Sequence, residues 1–207
     1  MRYDGRASDE MRKVKVTLGF TKFAEGSCLI EVGDTVVLCN ASVEDKVPPH
    51  VRSGGWVTAE YSMLPRANRE RSKRDVSKLK LSGRSAEIQR LIGRSLRCAV
   101  DLEALGERTI TVDCDVLQGD GGTRTASVTG GFIALALACR KLVDQGLIHR
   151  MPIRTYVAGV SACIVRNEAM LDLCYDEDSK AMVDLNCIMT AEGDIIELQG
   201  TGEGRPF

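Results

Sequence analysis

The residues best suited to chemistry lie in one short run, residues 117–125, which reads LQGDGGTRT. An alternating segment precedes the run and a long apolar segment follows it, so we predict that it joins a strand to the start of a helix. The first N–H groups of a helix lack partners within the helix and favour an anion. Thr123 adds a hydroxyl, and Arg124 adds a planar set of donors suited to phosphate. The run is a candidate phosphate cradle, although a glycine-rich turn alone is more often only a tight connection.

An acidic turn, DEDS at residues 176–179, is the second candidate. It lies between two predicted strands, and Asp184 begins the second of them. A single helical turn between the strands would bring Asp178 and Asp184 together. Two carboxylates beside a phosphate can hold Mg²⁺, and one of them can instead act as a general acid. Taken alone, such a turn is more often simply solvated, so its interpretation depends on its surroundings.

The formal net charge of −1 hides two opposed charge clusters. Residues 168–203 carry ten acidic residues and one basic residue, whereas residues 66–84 carry eight basic residues and two acidic ones. The basic segment has no apolar periodicity before residue 77, which predicts an exposed loop. An unmatched basic loop favours contact with a polyanion over a merely solvated surface. Its basic residues are Arg66, Arg69, Arg71, Lys73, Arg74, Lys78, Lys80 and Arg84.

A first helix is predicted over residues 85–100, where apolar residues recur at spacings of three and four. Arg84 stands at its N-terminal end and could therefore join the phosphate cradle. Arg90, Arg94 and Arg97 form a second stripe on this helix. That stripe could line a subunit contact or simply face solvent.

A second helix is predicted over residues 126–143, which are apolar on most sides and contain paired glycines. Such a helix is buried between layers. Strand groups interrupted by helices favour a layered α/β or α+β domain with a mixed sheet. Strands followed by a helix occur twice, which hints at an internal duplication. The predicted strands are residues 14–20, 28–32, 35–42, 57–64, 109–116, 157–165, 170–175, 183–190 and 195–199.

The remaining composition narrows the class of protein. The eight cysteines are scattered singly among apolar residues, which predicts buried free thiols in a reducing compartment. Two histidines and no clustered thiols make a zinc site improbable. No uninterrupted apolar run reaches the roughly 18 residues that a membrane span needs, so we expect a cytoplasmic protein without a membrane partner.

Six segments, in order along the whole chain, together resemble the ribonuclease PH family. This resemblance implies an α/β (α+β) fold of the ribosomal protein S5 domain 2-like type, with mixed sheets packed with helices and a βαβ-type duplication. It also implies a single domain over residues 1–207, without the C-terminal helical segment that usually follows in the family. The segments are RYDGR at 2–6, CNASVED at 39–45, TAEYSMLPR at 58–66, GRSAEIQRLIGR at 83–94, DGGTRT at 120–125 and EDS at 177–179.

The resemblance further implies a phosphorolytic 3′-to-5′ exoribonuclease, a tRNA nucleotidyltransferase that trims the 3′ end of precursor tRNA. Inorganic phosphate is its co-substrate and attacks the last phosphodiester, and a nucleoside diphosphate is released. The family assembles as a homohexamer, a trimer of dimers. By the same resemblance phosphate is bound by Arg84, Gly122, Thr123 and Arg124, Mg²⁺ and catalysis involve Asp178 and Asp184, and RNA is guided by Arg66, Arg71 and Arg74.

Two alternatives stay open beside this expectation. One is a catalytic subunit of an exosome-type ring, and the other is a non-catalytic RNA-binding subunit with the same fold. The sequence also departs from the family pattern in two places. The loop before Trp56 is short, and Met182 occupies a position that is commonly acidic, which weakens any metal site that needs a third carboxylate.

Overall fold

The computed structural model describes residues 2, 4–74, 82–202 and 206. Tyr3 of the first family segment, Lys78 and Lys80 of the basic segment, and Phe207 lie outside this part of the chain. Within it, nine strands form two sheets. The four described helices are α1 (Gly83–Cys98), α2 (Leu102–Leu105), α3 (Thr123–Asp144) and α4 (Tyr175–Asp178).

The first sheet combines an antiparallel meander with one parallel strand. Its strands are β1 (Val14–Leu18), β2 (Gly26–Val32), β3 (Thr35–Glu44), β4 (Trp56–Met63) and β5 (Thr109–Gln118), in the spatial order β1-β2-β3-β5-β4. Only β4 runs parallel to its neighbour, β5. The mixed sheet expected from the sequence is therefore confirmed. The parallel pair places the C-terminal ends of β4 and β5 side by side, next to the glycine run.

The second sheet is antiparallel throughout and smaller. It contains β6 (Val157–Val165), β7 (Glu168–Leu171), β8 (Val183–Thr190) and β9 (Ile195–Gly202), in the order β7-β6-β8-β9. Asp184 pairs with Cys163 near the start of β8, and Gln199 pairs with Asn186 between β9 and β8. The second sheet therefore presents polar side chains close to the acidic turn.

Helix α3 lies between the two sheets and packs on β2, β3 and β5 on one side and on β6 and β8 on the other. A Cβ atom on Gly130 would lie 2.7 Å from Cγ2 of Ile30, and one on Gly159 of β6 would lie 3.1 Å from Cα of Thr125. Only glycine permits such close approach of the helix to both layers. The prediction of a helix buried between layers is confirmed.

The same helix is also long and apolar enough, by length and composition, to cross a membrane. An 18-residue window of it has a mean hydropathy of 1.5, and 61% of that window is buried within the protein. Threonine, serine and glycine interrupt its apolar residues, so the helix contains no uninterrupted apolar run of that length. Its packing is that of the core helix of a layered domain.

Several predicted strands differ from the structure by a few residues at their ends, and one of these differences shapes the site. Residues 170–175 were expected to be extended, but β7 ends at Leu171 and Tyr175 begins α4. Asp172 has a φ of 54°, a left-handed conformation that ends the strand. The apolar residues Leu173 and Cys174 extend the apolar pattern of the strand, but they are buried without belonging to a sheet. Helix α4 is the single helical turn that the acidic segment required.

The cysteines and the arginine stripe also have structural outcomes. All eight cysteines are free thiols and six are buried, but Cys98 is exposed, contrary to expectation. Arg94 forms an ion pair with Glu197 at 2.7 Å, and Arg97 donates to the carbonyl oxygen of Val57. Two of the three stripe arginines are therefore engaged within the chain, because β4 and β9 pack beside α1.

Candidate active site

A cavity of about 380 Å³ lies where the glycine run, α1, α4 and β8 meet. The structure brings together the residues predicted for phosphate and for the acidic pair, although they come from four separate parts of the chain. All six line this one cavity: Arg84, Gly122, Thr123, Arg124, Asp178 and Asp184. Arg66, Arg71 and Arg74 do not line it and are exposed on the preceding loop.

The glycine run makes a tight turn against the segment before α4. Gly121 and Gly122 have φ values of 75° and 63°, which residues other than glycine rarely adopt. A Cβ atom on Gly121 would lie 2.4 Å from the carbonyl oxygen of Leu173. Gly122 is the N-cap of α3 and supplies no side-chain cap. The first N–H groups of α3 are therefore left for a ligand in the cavity.

The Thr123 hydroxyl is held from below by Tyr61 of β4. The two hydroxyl oxygens are 2.9 Å apart, and either group can donate. Tyr61 is only 2% exposed, and its burial raises the pKa of its phenol, against the opposing influence of Arg84 and Arg124. The phenol stays protonated at neutral pH. Sequence analysis missed Tyr61, because an inward-facing residue of an alternating strand reads as core.

Arg124 reaches from the first turn of α3 towards β9. Its Nη1 donates to Oε1 of Gln199 at 2.7 Å and lies 3.6 Å from Oε1 of Glu87. The Arg124 side chain is 17% exposed, so most of it is packed while the guanidinium still borders the cavity. The Arg124 guanidinium is thus oriented by side chains that lie outside the glycine run.

The two predicted carboxylates face the same cavity from α4 and β8. The pKa of Asp178 is raised by partial burial of its carboxyl group and by the negative charge of Asp184, while Arg84 and Arg124 oppose the shift. Asn186 donates to the Asp184 carboxylate at 3.4 Å. The charges of Asp184, Arg84 and Arg124 all act on the Asp178 carboxyl group, so the two acidic residues and the two arginines are electrostatically coupled.

Helix α4 is held by a buried ionic cluster from the N-terminal segment. Arg2 donates to both carboxylate oxygens of Glu177, each at 2.8 Å. Arg12 donates to Asp172 at 2.7 Å and to the carbonyl oxygen of Asp120 in the glycine run. Burial alone would raise the pKa values of Glu177 and Asp172, but the hydrogen bonds from Arg2 and Arg12 lower both. The cluster therefore ties α4 to the cradle.

The basic loop is fastened to α4 by another arginine, Arg69. Its guanidinium lies 5.2 Å from the centre of the Tyr175 ring, and its Nη2 is 3.2 Å from Oδ2 of Asp176. Tyr175 lines the cavity and is 47% exposed. The sequence pattern did not single out either Arg69 or Tyr175 for this contact. The described part of the loop therefore lies beside the mouth of the cavity.

Two models of one protein family together match most of the chain. The family model "3′ exoribonuclease family, domain 1" matches residues 10–141, and the model for domain 2 of the same family matches residues 155–207. Similar solved structures include an Archaeoglobus fulgidus exosome with RNA bound to the active site, at 25% identity and a TM-score of 0.84. That match covers 100% of this chain and 83% of the other.

Two further structures support the fold. Rice (Oryza sativa) Rrp46 has a TM-score of 0.77 at 16% identity, covering 99% of this chain and 87% of the other. A chain of an archaeal exosome core has a TM-score of 0.75 at 24% identity, covering 100% of this chain and 81% of the other. The fold class and the ribonuclease PH resemblance are both confirmed. This chain belongs to the 3′ exoribonuclease family, of the ribonuclease PH type.

Proposed function

We propose that this protein is a phosphorolytic 3′-to-5′ exoribonuclease that trims the 3′ end of precursor tRNA in the cytoplasm. The observation that carries the proposal is the single cavity lined both by the phosphate cradle and by Asp178 and Asp184. A cradle alone would suit any anion, and a carboxylate pair alone any cation. Their juxtaposition suits a reaction between two phosphate groups, one bound by donors and the other facing the carboxylates.

The proposed chemistry depends chiefly on positioning. The first N–H groups of α3, the Thr123 hydroxyl and the guanidinium groups of Arg84 and Arg124 hold inorganic phosphate and aim one of its oxygens. That oxygen attacks the phosphorus of the last phosphodiester, and the bond to the 3′ oxygen of the shortened RNA breaks. The attacking phosphate becomes the β-phosphate of the released nucleoside diphosphate. The arginines stabilise the negative charge that builds up in the transition state.

The acidic pair fits Mg²⁺, which the family resemblance implies. Among the described residues, no group of three or more His, Cys, Asp or Glu side chains could hold a metal ion. The protein would therefore contribute only the two carboxylates of the pair as ligands. Mg²⁺ is commonly bound through one or two carboxylates together with substrate phosphates. When bound by Asp178 and Asp184, the ion would neutralise charge on the scissile phosphate. Alternatively, Asp184 protonates the departing 3′ oxygen.

The RNA would approach over the basic loop. Arg66, Arg71 and Arg74 are exposed, and Arg69 anchors the loop to Tyr175 at the cavity mouth. Exposed arginines attract an RNA backbone without selecting a sequence. This arrangement supports a role of the loop in delivering the 3′ end to the cavity.

The decisive experiment incubates the protein with a tRNA that carries a 3′ extension, with and without phosphate and Mg²⁺. We expect nucleoside diphosphates only when phosphate is present. Nucleoside monophosphates would mean hydrolysis and would refute phosphorolysis. Binding without any product would favour a non-catalytic subunit.

A second candidate function is catalysis within an exosome-type ring, because exosome chains are among the similar structures. The two assemblies make different predictions. We expect the purified chain to form a homohexamer, a trimer of dimers, that is active alone. Size-exclusion chromatography with light scattering measures the assembly, and activity that appears only after a second, different subunit is added would favour the exosome-type ring.

A further inference from the structure

Gln199, which the sequence patterns did not single out, stands between the candidate phosphate arginine and two carboxylates. Its Oε1 accepts from Arg124 at 2.7 Å. Its Nε2 donates to Oε1 of Glu87 at 2.9 Å and to Oε1 of Glu197 at 3.0 Å. The side chain thus uses one acceptor and both donors at once.

The orientation of this amide is fixed by its neighbours. A guanidinium can only donate, and an ionised carboxylate can only accept. The amide oxygen must therefore face Arg124, and the amide nitrogen must face Glu87 and Glu197. A flipped amide would place its nitrogen against a donor and its oxygen against two acceptors, so the network admits a single arrangement.

Regular secondary structure brings the members of this network together. Glu87 and Arg94 are seven residues apart and share one face of α1, while Glu197 and Gln199 share one face of β9. Arg94 holds Glu197 through its Nη2 at 2.7 Å and 3.0 Å. The charge of Glu197 is therefore balanced by Arg94, whereas Glu87 forms only a longer ion pair with Arg124, at 3.6 Å and beyond hydrogen-bond distance.

We propose that Gln199 is a positioning residue for phosphate binding, which orients Arg124 and holds Glu87 back from it. Glu87 would otherwise compete with phosphate for the same guanidinium. The inference rests on the proposed function, since it assigns Arg124 to inorganic phosphate. It also gives β9, the last described strand, a role in a site whose predicted phosphate donors lie on α1 and α3.

The proposal predicts two opposite effects on phosphate binding. Gln199→Met removes the acceptor from Arg124 and allows Glu87 to close from its longer ion pair to a direct hydrogen bond, so the KM for phosphate should rise by about tenfold. Glu87→Gln removes the competing negative charge from a partly exposed position, so the KM for phosphate should fall by about threefold. The KM for RNA should stay unchanged in both variants, because neither side chain lines the cavity.

A double variant tests whether the two residues act together. In the Glu87→Gln background, Gln199→Met no longer releases a competing carboxylate, so its effect on the KM for phosphate should shrink to about threefold or less. Gln145→Met and Glu107→Gln, both at exposed positions remote from the network, are the matched controls. They should leave both KM values as in the unaltered protein.

The experiment measures both KM values by release of nucleoside diphosphates, together with the rise in Tm that phosphate alone produces. Opposite shifts of the KM for phosphate in the two single variants support the proposal. Equal effects of Gln199→Met in both backgrounds, or equal changes in the KM for phosphate and for RNA, would overturn it.

Two further results separate this inference from the proposed function. If the unaltered protein neither responds to phosphate nor releases nucleoside diphosphates, the proposed function fails and Gln199 loses its assigned role. If it does both and the variants match it, only this inference fails. If Gln199→Met does not fold, the test rests on Glu87→Gln alone. A lower KM for phosphate in that variant supports the proposal, and an unchanged KM counts against it.

Discussion

On the phosphate side of the cavity, the predicted donors apart from Arg84 of α1 belong to the first turn of α3, and that helix is buried between two sheets. On the carboxylate side, Asp178 belongs to α4, one helical turn of four residues. The packing of α3 holds the first side, whereas the ion pairs of Arg2 and Arg12 hold the second. Apolar packing is insensitive to pH, but buried ion pairs depend on the charge of their carboxylates. The two sides should therefore respond differently to substitution and to acid.

The largest loss should follow removal of a donor from the phosphate side. Arg124→Ala should reduce phosphate-dependent release of nucleoside diphosphates by at least about 100-fold, because a preorganised donor to a developing negative charge is lost. The fold should be unaffected, since α3 is held by its apolar faces. Arg140→Ala, on the exposed end of α3, is the control. Full activity of Arg124→Ala would refute the assignment of phosphate binding to the glycine run and the first turn of α3.

On the carboxylate side, Asp184→Asn should lower turnover by about 100-fold and weaken its dependence on Mg²⁺. The substitution keeps the shape of the side chain and its hydrogen bond with Asn186, so a loss reports on charge. Activity is measured over a series of Mg²⁺ concentrations. Unchanged turnover and Mg²⁺ dependence would show that this carboxylate takes no part in catalysis.

The ionic cluster should control stability more than chemistry. Arg2→Met removes both hydrogen bonds from Arg2 to buried Glu177 and leaves it the longer ion pair with Arg6, at 3.7 Å, which should cost about 3 kcal/mol of unfolding free energy. In a domain of this size, the Tm should fall by about 10 °C. The double variant Arg2→Met, Glu177→Met should regain part of the loss, since the buried carboxylate that lost its hydrogen bonds is then removed as well. A thermal melt that shows no difference between single and double variants would contradict this account.

The same cluster predicts a direction for the pH dependence of stability. Burial alone would raise the pKa values of Glu177 and Asp172, but the hydrogen bonds and charges of Arg2 and Arg12, together with the charge of Arg6, lower both in the folded protein. Their stabilisation is therefore complete above the unfolded pKa values of about 4 and is lost as the pH falls through the lower folded values. The Arg2→Met variant should lose less stability than the unaltered protein between about pH 5 and pH 2.

The sequence could single out the glycine run and the acidic turn as candidates because both are patterns of consecutive residues. Each pattern alone is more often structural, so the roles predicted for them depend on the family resemblance. Gln199, Glu87 and Tyr61 could not be found in this way, because their roles depend on contacts between elements far apart in the chain. The end of β7 at Leu171 was not predicted for the same reason. Leu173 and Cys174 are buried against the glycine run, so their apolar side chains do not indicate pairing in a sheet.

Tyr61 tests how far the rigidity of the phosphate side depends on a single hydrogen bond. Tyr61→Phe keeps the buried ring and removes the hydroxyl 2.9 Å from Thr123, so the fold should tolerate it. Without this partner, the Thr123 hydroxyl can rotate away from the phosphate, and the KM for phosphate should rise by about threefold to tenfold. The KM for RNA and the Mg²⁺ dependence should stay the same, because the hydrogen bond between Tyr61 and Thr123 does not involve the carboxylates of Asp178 and Asp184. Steady-state kinetics with each substrate varied in turn measure this, and an equal rise in both KM values would mean that the two sides of the cavity are coupled after all.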